Sequence, residues 1–319
     1  MRLKLFAAFA AVYLLWGSTY LFIHFALEDL RPFFLAGARL LTAGAILFAW
    51  ARWRSRAPAL LAREWRACAI TGALFFLCGN GAVVWSQQRL PSGIVALLVA
   101  VVPLWVVMLQ WTLPPHYRPG APVMLGIILG LAGLAILVGF DALTSTGPID
   151  PMAALVLAGG SLAWAFGTLY AQRAALPKSP LVTAGAQMLC GGALLALTSL
   201  ITREPARMQW SSISAGAILS MVYLITFGSI IAFTAYGWLV RVAPAARVAT
   251  YAYVNPVVAM FLGWLFADER LSARTLLASA VVLSGVALIT MARRPAATTP
   301  PAPDARTRAP LHGASLGRQ

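Results

Sequence analysis

Long apolar segments alternate with short polar ones from about residue 5 to residue 291. Each apolar segment approaches the roughly 20 residues that a helix needs to cross the hydrocarbon of a membrane. The pattern predicts ten such spans, at about 5–25, 33–51, 67–87, 94–113, 123–140, 152–171, 181–200, 214–239, 247–266 and 275–291. We therefore expect an all-α membrane protein with ten transmembrane helices.

The sequence of the first half recurs in the second half. One constant offset aligns residues 16–45 with residues 164–193, and a slightly larger offset aligns the region that follows. The matched pairs include Trp16 with Trp164, Pro32 with Pro180, Gly44 with Gly192, Trp85 with Trp238 and Pro103 with Pro256. The repeat predicts a first copy at 5–145 and a second copy at 152–292, each with five spans.

An odd number of spans in each copy makes the second copy enter the membrane from the opposite side. The copies are therefore expected to be inverted repeats, related by a pseudo-two-fold axis in the membrane plane. Two such halves can form two near-equivalent states that open to opposite sides, as alternating access requires. Residues 293–319, which are basic and rich in Pro, Ala and Thr, are predicted to form a disordered cytoplasmic tail.

Composition supports the membrane interpretation. Hydrophobic residues make up 61% of the chain and charged residues 10%, against about 45–50% and about 25% in soluble domains. The net charge of +15 does not indicate nucleic-acid binding, because most of the 24 Lys and Arg residues fall on the side that holds both termini. This distribution follows the positive-inside rule and predicts cytoplasmic termini. The expected partners are a small-molecule solute and membrane lipids, with no nucleic acid.

Several kinds of chemistry lack the residues they need. All Asp and Glu residues lie outside the predicted spans, so the sequence offers no obvious carboxylate for a buried proton relay. It also lacks a phosphate-binding loop and a metal-binding motif, and its three cysteines do not have metal-ligand spacing. We predict no catalytic residues, no metal and no cofactor, and hence a protein that is not an enzyme. Coupling to a proton or a counter-solute stays open, and a membrane channel or a membrane-embedded lipid-modifying enzyme is the alternative.

Polar and aromatic side chains within or near the spans are the candidates for a solute-binding cavity. Walls of this composition suit an amphipathic organic solute, although aromatic residues also form belts at the membrane surface. The candidates are Trp16, Thr19, Tyr20, Arg39, Asn80, Trp85, Gln88, Trp164, Tyr236, Tyr251, Tyr253 and Asn255. Of these, Tyr251 and Asn255 are four residues apart and share a helix face.

Arg39 is the one Lys or Arg residue well inside a predicted span. A charge in hydrocarbon is costly, so its guanidinium should face protein or water. Two interpretations stay open: Arg39 binds a carboxylate or phosphate of the solute, or it has a structural role, reaching the membrane surface or pairing with Glu28 or Asp29. Its counterpart in the second copy, Gln187, is uncharged.

The matched prolines Pro103 and Pro256 are predicted to interrupt their spans. Each removes a backbone donor and frees the carbonyl group one turn earlier, at Val99 and Ala252. Paired interruptions in two halves point to the binding site of a transporter. Both prolines are therefore candidates for a gate or hinge, and the alternative is a packing kink in each helix.

Six stretches, taken in order, resemble the EamA branch of the drug/metabolite transporter superfamily. They are residues 15–20, 79–81, 90–94, 161–167, 227–232 and 251–259. The resemblance covers about residues 8–291 and implies ten helices with cytoplasmic termini in a bacterial inner membrane. It also implies export of small metabolites, with amino acids and drugs as candidate cargo, from a central cavity. An acidic position of the family is matched at Glu269, whereas the first copy reads Pro114-Pro115-His116-Tyr117 there.

Together, these observations predict a secondary transporter that moves a small organic solute outward by alternating access. The two copies would rearrange around a cavity near the matched prolines Pro103 and Pro256.

Overall fold

The computed structural model describes residues 2–55, 59–90, 95, 98–114, 118–144, 150–266 and 273–292. Within these ranges the chain folds into helices and turns, with no β-strand, as the apolar pattern predicts. The helices are α1 (Arg2–Leu27), α2 (Pro32–Ser55), α3 (Ala62–Ser86), α4 (Val102–Thr112), α5 (Ala121–Thr144), α6 (Pro151–Arg173), α7 (Pro180–Ile201), α8 (Ala215–Val242), α9 (Ala245–Val248), α10 (Tyr251–Phe266) and α11 (Ala273–Met291). Glu269 and the predicted tail at 293–319 lie outside the described residues.

Six helices, α1, α2, α3, α6, α7 and α8, are long and apolar enough to cross a membrane. Shorter apolar helical stretches occupy Val102–Thr112, Ala121–Gly133 and Leu276–Ile289. Large apolar side chains such as Leu155 and Leu200 are exposed on the outside of the bundle. Exposed apolar surface of this extent suits contact with lipid tails rather than water.

Short capping sequences set the starts of α6 and α7. Asp150 Oδ1 accepts hydrogen bonds from the backbone nitrogens of Met152 (2.9 Å) and Ala153 (3.2 Å). Ser179 likewise caps α7, with its hydroxyl accepting from Val182 N at 3.5 Å. In both helices a proline follows the cap, where its missing N–H costs nothing.

Helices α2 and α7 pack antiparallel, and glycines set their separation. A Cβ atom at Gly44 would lie 2.8 Å from Leu189 N, and one at Gly192 would lie 2.8 Å from Leu41 N. Such close backbone approach is how helices associate where lipid replaces the hydrophobic effect. Gly44 and Gly192 occupy matching positions in the two copies, as do Leu41 and Leu189. Exchanging the two copies therefore leaves this contact unchanged.

Helices α1 and α6 are central, and each packs against several other helices. Helix α1 packs against α8 and α10, and its counterpart α6 packs against α3 and α4. Helices α5 and α11 pack mainly against each other. The space enclosed by α1 and α6 and the helices around them is where the candidate site lies.

Matching π-helical segments, which the sequence did not predict, occur in α3 and α8. Residues Ala73–Asn80 and Leu224–Ile231 each form eight residues of π-helix. At the end of each segment a backbone N–H reaches back five residues, from Gly81 to the carbonyl of Phe76 and from Ala232 to that of Phe227. π-Helical turns are rare and frequently lie at functional sites.

The matched prolines do not take equivalent positions in their helices. Pro256 lies inside α10, as predicted. Pro103 instead lies in the first turn of α4, which begins at Val102 after a turn at residues 100–101. The predicted interruption of the first-copy span near Pro103 thus corresponds to the turn at residues 100–101, and Pro103 itself lies at the start of the helix that follows. A proline is well accommodated at a helix start, where no N–H partner is needed.

Candidate functional site

A cavity of about 100 Å³ lies between the two copies. One water molecule needs only roughly 10–15 Å³ on this measure, so the cavity can take a small organic solute. The wall is largely apolar and aromatic with a few isolated polar groups, which is typical of small-molecule sites. Its residues are Trp16, Thr19, Tyr20, Ile23, Arg39, Leu40, Phe76, Gly79, Asn80, Val83, Val99, Val102, Gly160, Ser161, Trp164, Gly228, Ser229, Phe233, Tyr251 and Asn255.

The structure brings eight of the sequence candidates together in this wall. They are Trp16, Thr19, Tyr20, Arg39, Asn80, Trp164, Tyr251 and Asn255. Both π-helical segments also contribute: Gly79 and Asn80 come from the first, and Gly228 and Ser229 from the second. Sequence reasoning did not select Ser229 or Ser161, although both lie in stretches that carry the family resemblance.

Two of the other candidates lie near the end of α3, away from the cavity. Trp85 packs under Arg89, whose guanidinium carbon lies 3.9 Å from the centre of the Trp85 ring. Arg89 also pairs with Asp150, with 3.7 Å between Nε and Oδ2. Gln88 is exposed. These contacts join this end of α3 to the start of α6 and do not form part of the cavity wall.

The remaining two aromatic candidates are buried outside the larger cavity. Tyr253 is fully buried, and its ring lies against Gly130 of α5, where a Cβ atom would come within 2.8 Å of it. Because Tyr253 is two residues from Tyr251, the helix turns it to another face. Tyr236 lies beneath the cavity and lines a second, smaller one. Of the two matched prolines, neither contributes to the wall of the larger cavity, although Val99 does.

Aromatic rings from both copies form the base of the cavity. The centroids of Trp16 and Trp164 are 5.7 Å apart with their planes at 82°. Trp16 also lies 4.8 Å from Tyr251 and 5.1 Å from Tyr236. The pairs of Trp16 with Trp164 and with Tyr251 meet edge to face, an arrangement that is favourable at these distances, and the pair with Tyr236 is tilted at 42°. The base is therefore a packed aromatic layer built around two residues from matching positions.

Hydrogen bonds hold these rings in place. Trp164 Nε1 donates to the Tyr236 hydroxyl at 3.0 Å, and Thr168 Oγ1 lies 2.6 Å from that hydroxyl. Thr168 already donates its proton to the Trp164 carbonyl at 2.9 Å, so Tyr236 is the donor to Thr168. On the other side, Trp16 Nε1 donates to the carbonyl of Gly228 at 3.0 Å. The layer is thus tied both to α6 and to the second π-helical segment.

Asn255 joins α10 to α1 at the edge of the cavity. With its amide oriented to suit the surrounding carbonyl groups, its nitrogen donates to Tyr13 O at 3.2 Å and to Tyr251 O at 3.0 Å. The Tyr13 hydroxyl lies 2.6 Å from Thr250 Oγ1, just before α10 begins. These bonds fix the position of α10 against α1 on the side where Tyr251 enters the wall.

Arg39 projects into the cavity from α2 and is only 6% exposed. It makes no hydrogen bond or ion pair with the described residues, and its Nε atom is buried without a partner. The structural alternative of a pair with Asp29 is not formed. Asp29 Oδ2 instead accepts from Ser214 N (2.8 Å) and Ser214 Oγ (2.6 Å). A charged residue inside a membrane span that faces a cavity is by default a candidate functional residue.

Asp29 and Glu204 fasten the loops at the same end of the bundle. The hydroxyl and then the backbone amide of Ser214 hold the pKa of Asp29 below its ordinary value. Glu204 accepts from the backbone nitrogens of Phe33 (3.3 Å) and Phe34 (2.7 Å), in the first turn of α2. A carboxylate at a helix N-terminus is stabilised by its free N–H groups. These contacts tie the end of α7 to the start of α2.

A second cavity of about 10 Å³ lies on the far side of the aromatic layer. It shares Phe233 with the larger cavity and is lined in addition by Phe75, Tyr236, Gln187, Thr183 and Arg241, among others. Arg39 and Gln187 lie equally far into α2 and α7, and these helices are antiparallel. The two residues therefore face cavities toward opposite ends of the bundle.

Hydrogen bonds close the end of the bundle next to the smaller cavity. Arg241 donates to the carbonyls of Lys178 (3.0 Å) and Pro177 (2.9 Å) and to Thr183 Oγ1 (2.7 Å). Gln172 Nε2 donates to the carbonyl of Val240 at 3.0 Å. Together they join the end of α8 to the α6–α7 loop. We call this set the Arg241 clamp.

These features define a helical membrane protein of the transporter class, in which an aromatic layer separates a larger cavity from a smaller one. The described residues contain no group of three or more His, Cys, Asp or Glu that could hold a metal ion. The model of the EamA-like transporter family matches residues 3–139 and 151–291. The chain therefore belongs to the EamA-like transporter family.

Known relatives agree with this assignment. The chain is 38% identical to the uncharacterized inner membrane transporter YedA of Escherichia coli strain K12, over 91% of this chain and 92% of YedA. It is 24% identical to the uncharacterized transporter YvbV of Bacillus subtilis, over 90% and 91% of the two chains. A crystal structure at 21% identity matches the fold with a TM-score of 0.75, over 91% of this chain and 98% of that one.

Proposed function

We propose that the protein is a secondary transporter that moves a small organic solute outward across a bacterial inner membrane. The observation that carries the proposal is the cavity between the two copies, whose base is built from the matched residues Trp16 and Trp164. Membership of a transporter family supports it, as does the similarity to YedA, which is named as an inner membrane transporter.

In this proposal the two copies, 5–145 and 152–292, are inverted repeats of five spans each. Support comes from the antiparallel contact of α2 and α7, which is unchanged when Gly44 and Leu189 are exchanged for Gly192 and Leu41. The Lys and Arg distribution favours cytoplasmic termini. With that orientation α1 runs outward, so residues 16–23 belong to its outer half and the larger cavity faces the periplasm.

The mechanism we propose is alternating access between the two cavities. The larger cavity is about 100 Å³ and the smaller about 10 Å³, and a buried aromatic layer separates them. In the opposite state the Arg241 clamp would open and the smaller cavity would widen as the larger one closes. Such a barrier favours a carrier over a channel, since a channel needs one continuous conducting pathway.

Counterflow in proteoliposomes tests the proposal. The purified protein is reconstituted with an unlabelled amino-acid and small-acid mixture inside, and uptake of each labelled component is followed. A carrier is expected to show transient accumulation of label driven by the internal solute. If internal solute never accelerates labelled flux for any component that crosses, the protein is not a carrier for these solutes and the channel alternative gains. Empty liposomes and liposomes with the Trp16→Ala variant serve as controls.

A further inference from the structure

The charge balance of the larger cavity is incomplete. Its wall, as far as the structure describes it, contains Arg39 but no Asp, Glu or second Lys or Arg. Among the described residues Arg39 has no hydrogen-bond or ion-pair partner, and its Nε atom, Asn80 Oδ1 and Ser229 Oγ are all buried without one. Buried charges in proteins are normally paired. An anion that enters the cavity can therefore pair with Arg39.

The second copy shows that the fold does not require a charge at this position. Gln187 occupies the matching position in α7, and its Nε2 donates to Thr71 Oγ1 at 2.7 Å. It lines the smaller cavity as Arg39 lines the larger one. The same helix packing is thus built around a neutral amide whose nitrogen is hydrogen-bonded within the protein. The positive charge of Arg39 is therefore not needed for helix packing, which leaves the binding of a ligand in the cavity as its role.

We propose that the solute is an organic monoanion whose carboxylate is bound by Arg39 and whose apolar part lies against the aromatic layer. A guanidinium binds a carboxylate through two parallel hydrogen bonds, and Trp16, Trp164 and Tyr251 offer the apolar surface beside it. One cation neutralises one negative charge, so a dianion such as a phosphate monoester leaves an unpaired buried charge. This inference depends on the proposed transport function only where it identifies the bound ligand as the transported solute.

A matched set of probes tests the charge requirement on the intact protein. Purified protein in an uncharged detergent is titrated with acetate, phenylacetate, phenylacetamide, phenethylammonium and phenyl phosphate, and the thermal unfolding midpoint is recorded. A ligand that binds only the folded state raises this midpoint. We expect phenylacetate to bind about tenfold or more tightly than its amide, with no effect from the ammonium compound and a weaker effect from the phosphate. The inference is overturned if phenylacetate and phenylacetamide raise the midpoint equally, or if neither acetate nor phenylacetate raises it.

Variants assign the effect to Arg39. Arg39→Gln, which copies the residue of the second copy, is expected to remove the preference for phenylacetate, and Arg39→Lys to keep most of it. Arg54→Gln, at the exposed end of the same helix, is the control and should behave as wild type. If Arg39→Gln does not fold, the wild-type probe series and the Arg39→Lys variant still decide whether the inference holds. Retention of the full preference in Arg39→Gln overturns the inference.

Two further arms separate the possible sources and outcomes. Vesicles of phosphatidylcholine with or without phosphatidylglycerol show whether a lipid phosphate is the anion. If only phosphatidylglycerol raises the midpoint, a lipid headgroup and not a carboxylate cargo occupies the site, and the inference fails. Counterflow of the same probes distinguishes failure of this inference from failure of the transport function. Flux without charge preference overturns the carboxylate site alone, whereas acid binding without any flux supports the site and contradicts transport.

Discussion

Trp16 and Trp164 occupy matching positions in the two copies and meet edge to face, with 5.7 Å between their ring centroids. Both line the larger cavity, and both touch Tyr236, which lines the smaller one. The contact thus lies between the two cavities, where the copies meet. In the proposed cycle a solute passes from one cavity to the other only when this aromatic contact opens.

Tyr236→Phe should weaken the aromatic layer without removing a ring. The change leaves Trp164 Nε1–H without its acceptor and Thr168 without its donor. An orphaned buried donor costs about 1–3 kcal/mol, so we expect a lower thermal unfolding midpoint. Thr168→Val should lower the unfolding midpoint less in the Tyr236→Phe background than in the wild-type protein, because both changes remove the same hydrogen bond. Additive effects in this double-mutant cycle would contradict the assigned network.

Helix separation can be tested at the matched glycines of α2 and α7. Gly44→Ala and Gly192→Ala each place a Cβ atom 2.8 Å from a backbone nitrogen of the opposite helix. Overpacking of this kind costs about 1–3 kcal/mol. The control is Gly159→Ala, since nothing lies within 4 Å of its added Cβ atom. The unfolding midpoint should fall for the first two variants and stay level or rise for the third; a fall of equal size in all three would contradict the packing argument.

The helical class and much of the cavity wall were predictable because the membrane limits what a sequence can do. Polar residues inside apolar spans are costly, so Arg39, Asn80 and Asn255 stood out and do line the cavity. Helix periodicity also placed Tyr251 and Asn255 on one face. The same rule, applied further, would have turned Tyr253 away from that face.

Other features had no sequence signal. A π-helical segment differs from an α-helix by one hydrogen-bond register, and residues such as Phe76 and Phe227 suit both. The repeat alignment matched Pro103 to Pro256, yet one begins a helix and the other lies within one. Alignment reports which residues correspond, not where a helix breaks, because the break depends on the packing of neighbouring helices.

Acidification should test the Asp29–Ser214 contact. Hydrogen bonds from Ser214 hold the pKa of Asp29 below its ordinary value, so the ionised form stabilises the folded state. That contribution is present above the ordinary aspartate pKa and is lost as the pH falls through the lowered value. Asp29→Asn resembles the protonated acid. We expect wild type to unfold at a higher temperature than the variant at neutral pH and the difference to vanish in acid; a difference independent of pH would contradict this.

Opening of the Arg241 clamp is the most direct test of alternating access. Arg241→Gln removes charged donors to Pro177, Lys178 and Thr183, so the smaller cavity should open more often. Gly237 lines that cavity with no atom within 4 Å of an added Cβ, which makes Gly237→Cys a suitable reporter in a background without other cysteines. Its labelling by a membrane-impermeant thiol reagent in inside-out vesicles should rise about tenfold.

Alternating access also predicts the opposite change in thiol labelling at the larger cavity, and this second measurement decides the test. Ser229 lines the larger cavity. Labelling of the Ser229→Cys reporter from the periplasmic side should slow in the same Arg241→Gln background. Arg247→Gln breaks a bond to the Ala292 carbonyl outside both cavities and should alter neither rate. Faster labelling at both reporters would mean that the change loosens the protein or opens a channel. Only reciprocal changes fit two cavities that exchange access, because one cavity then closes as the other opens.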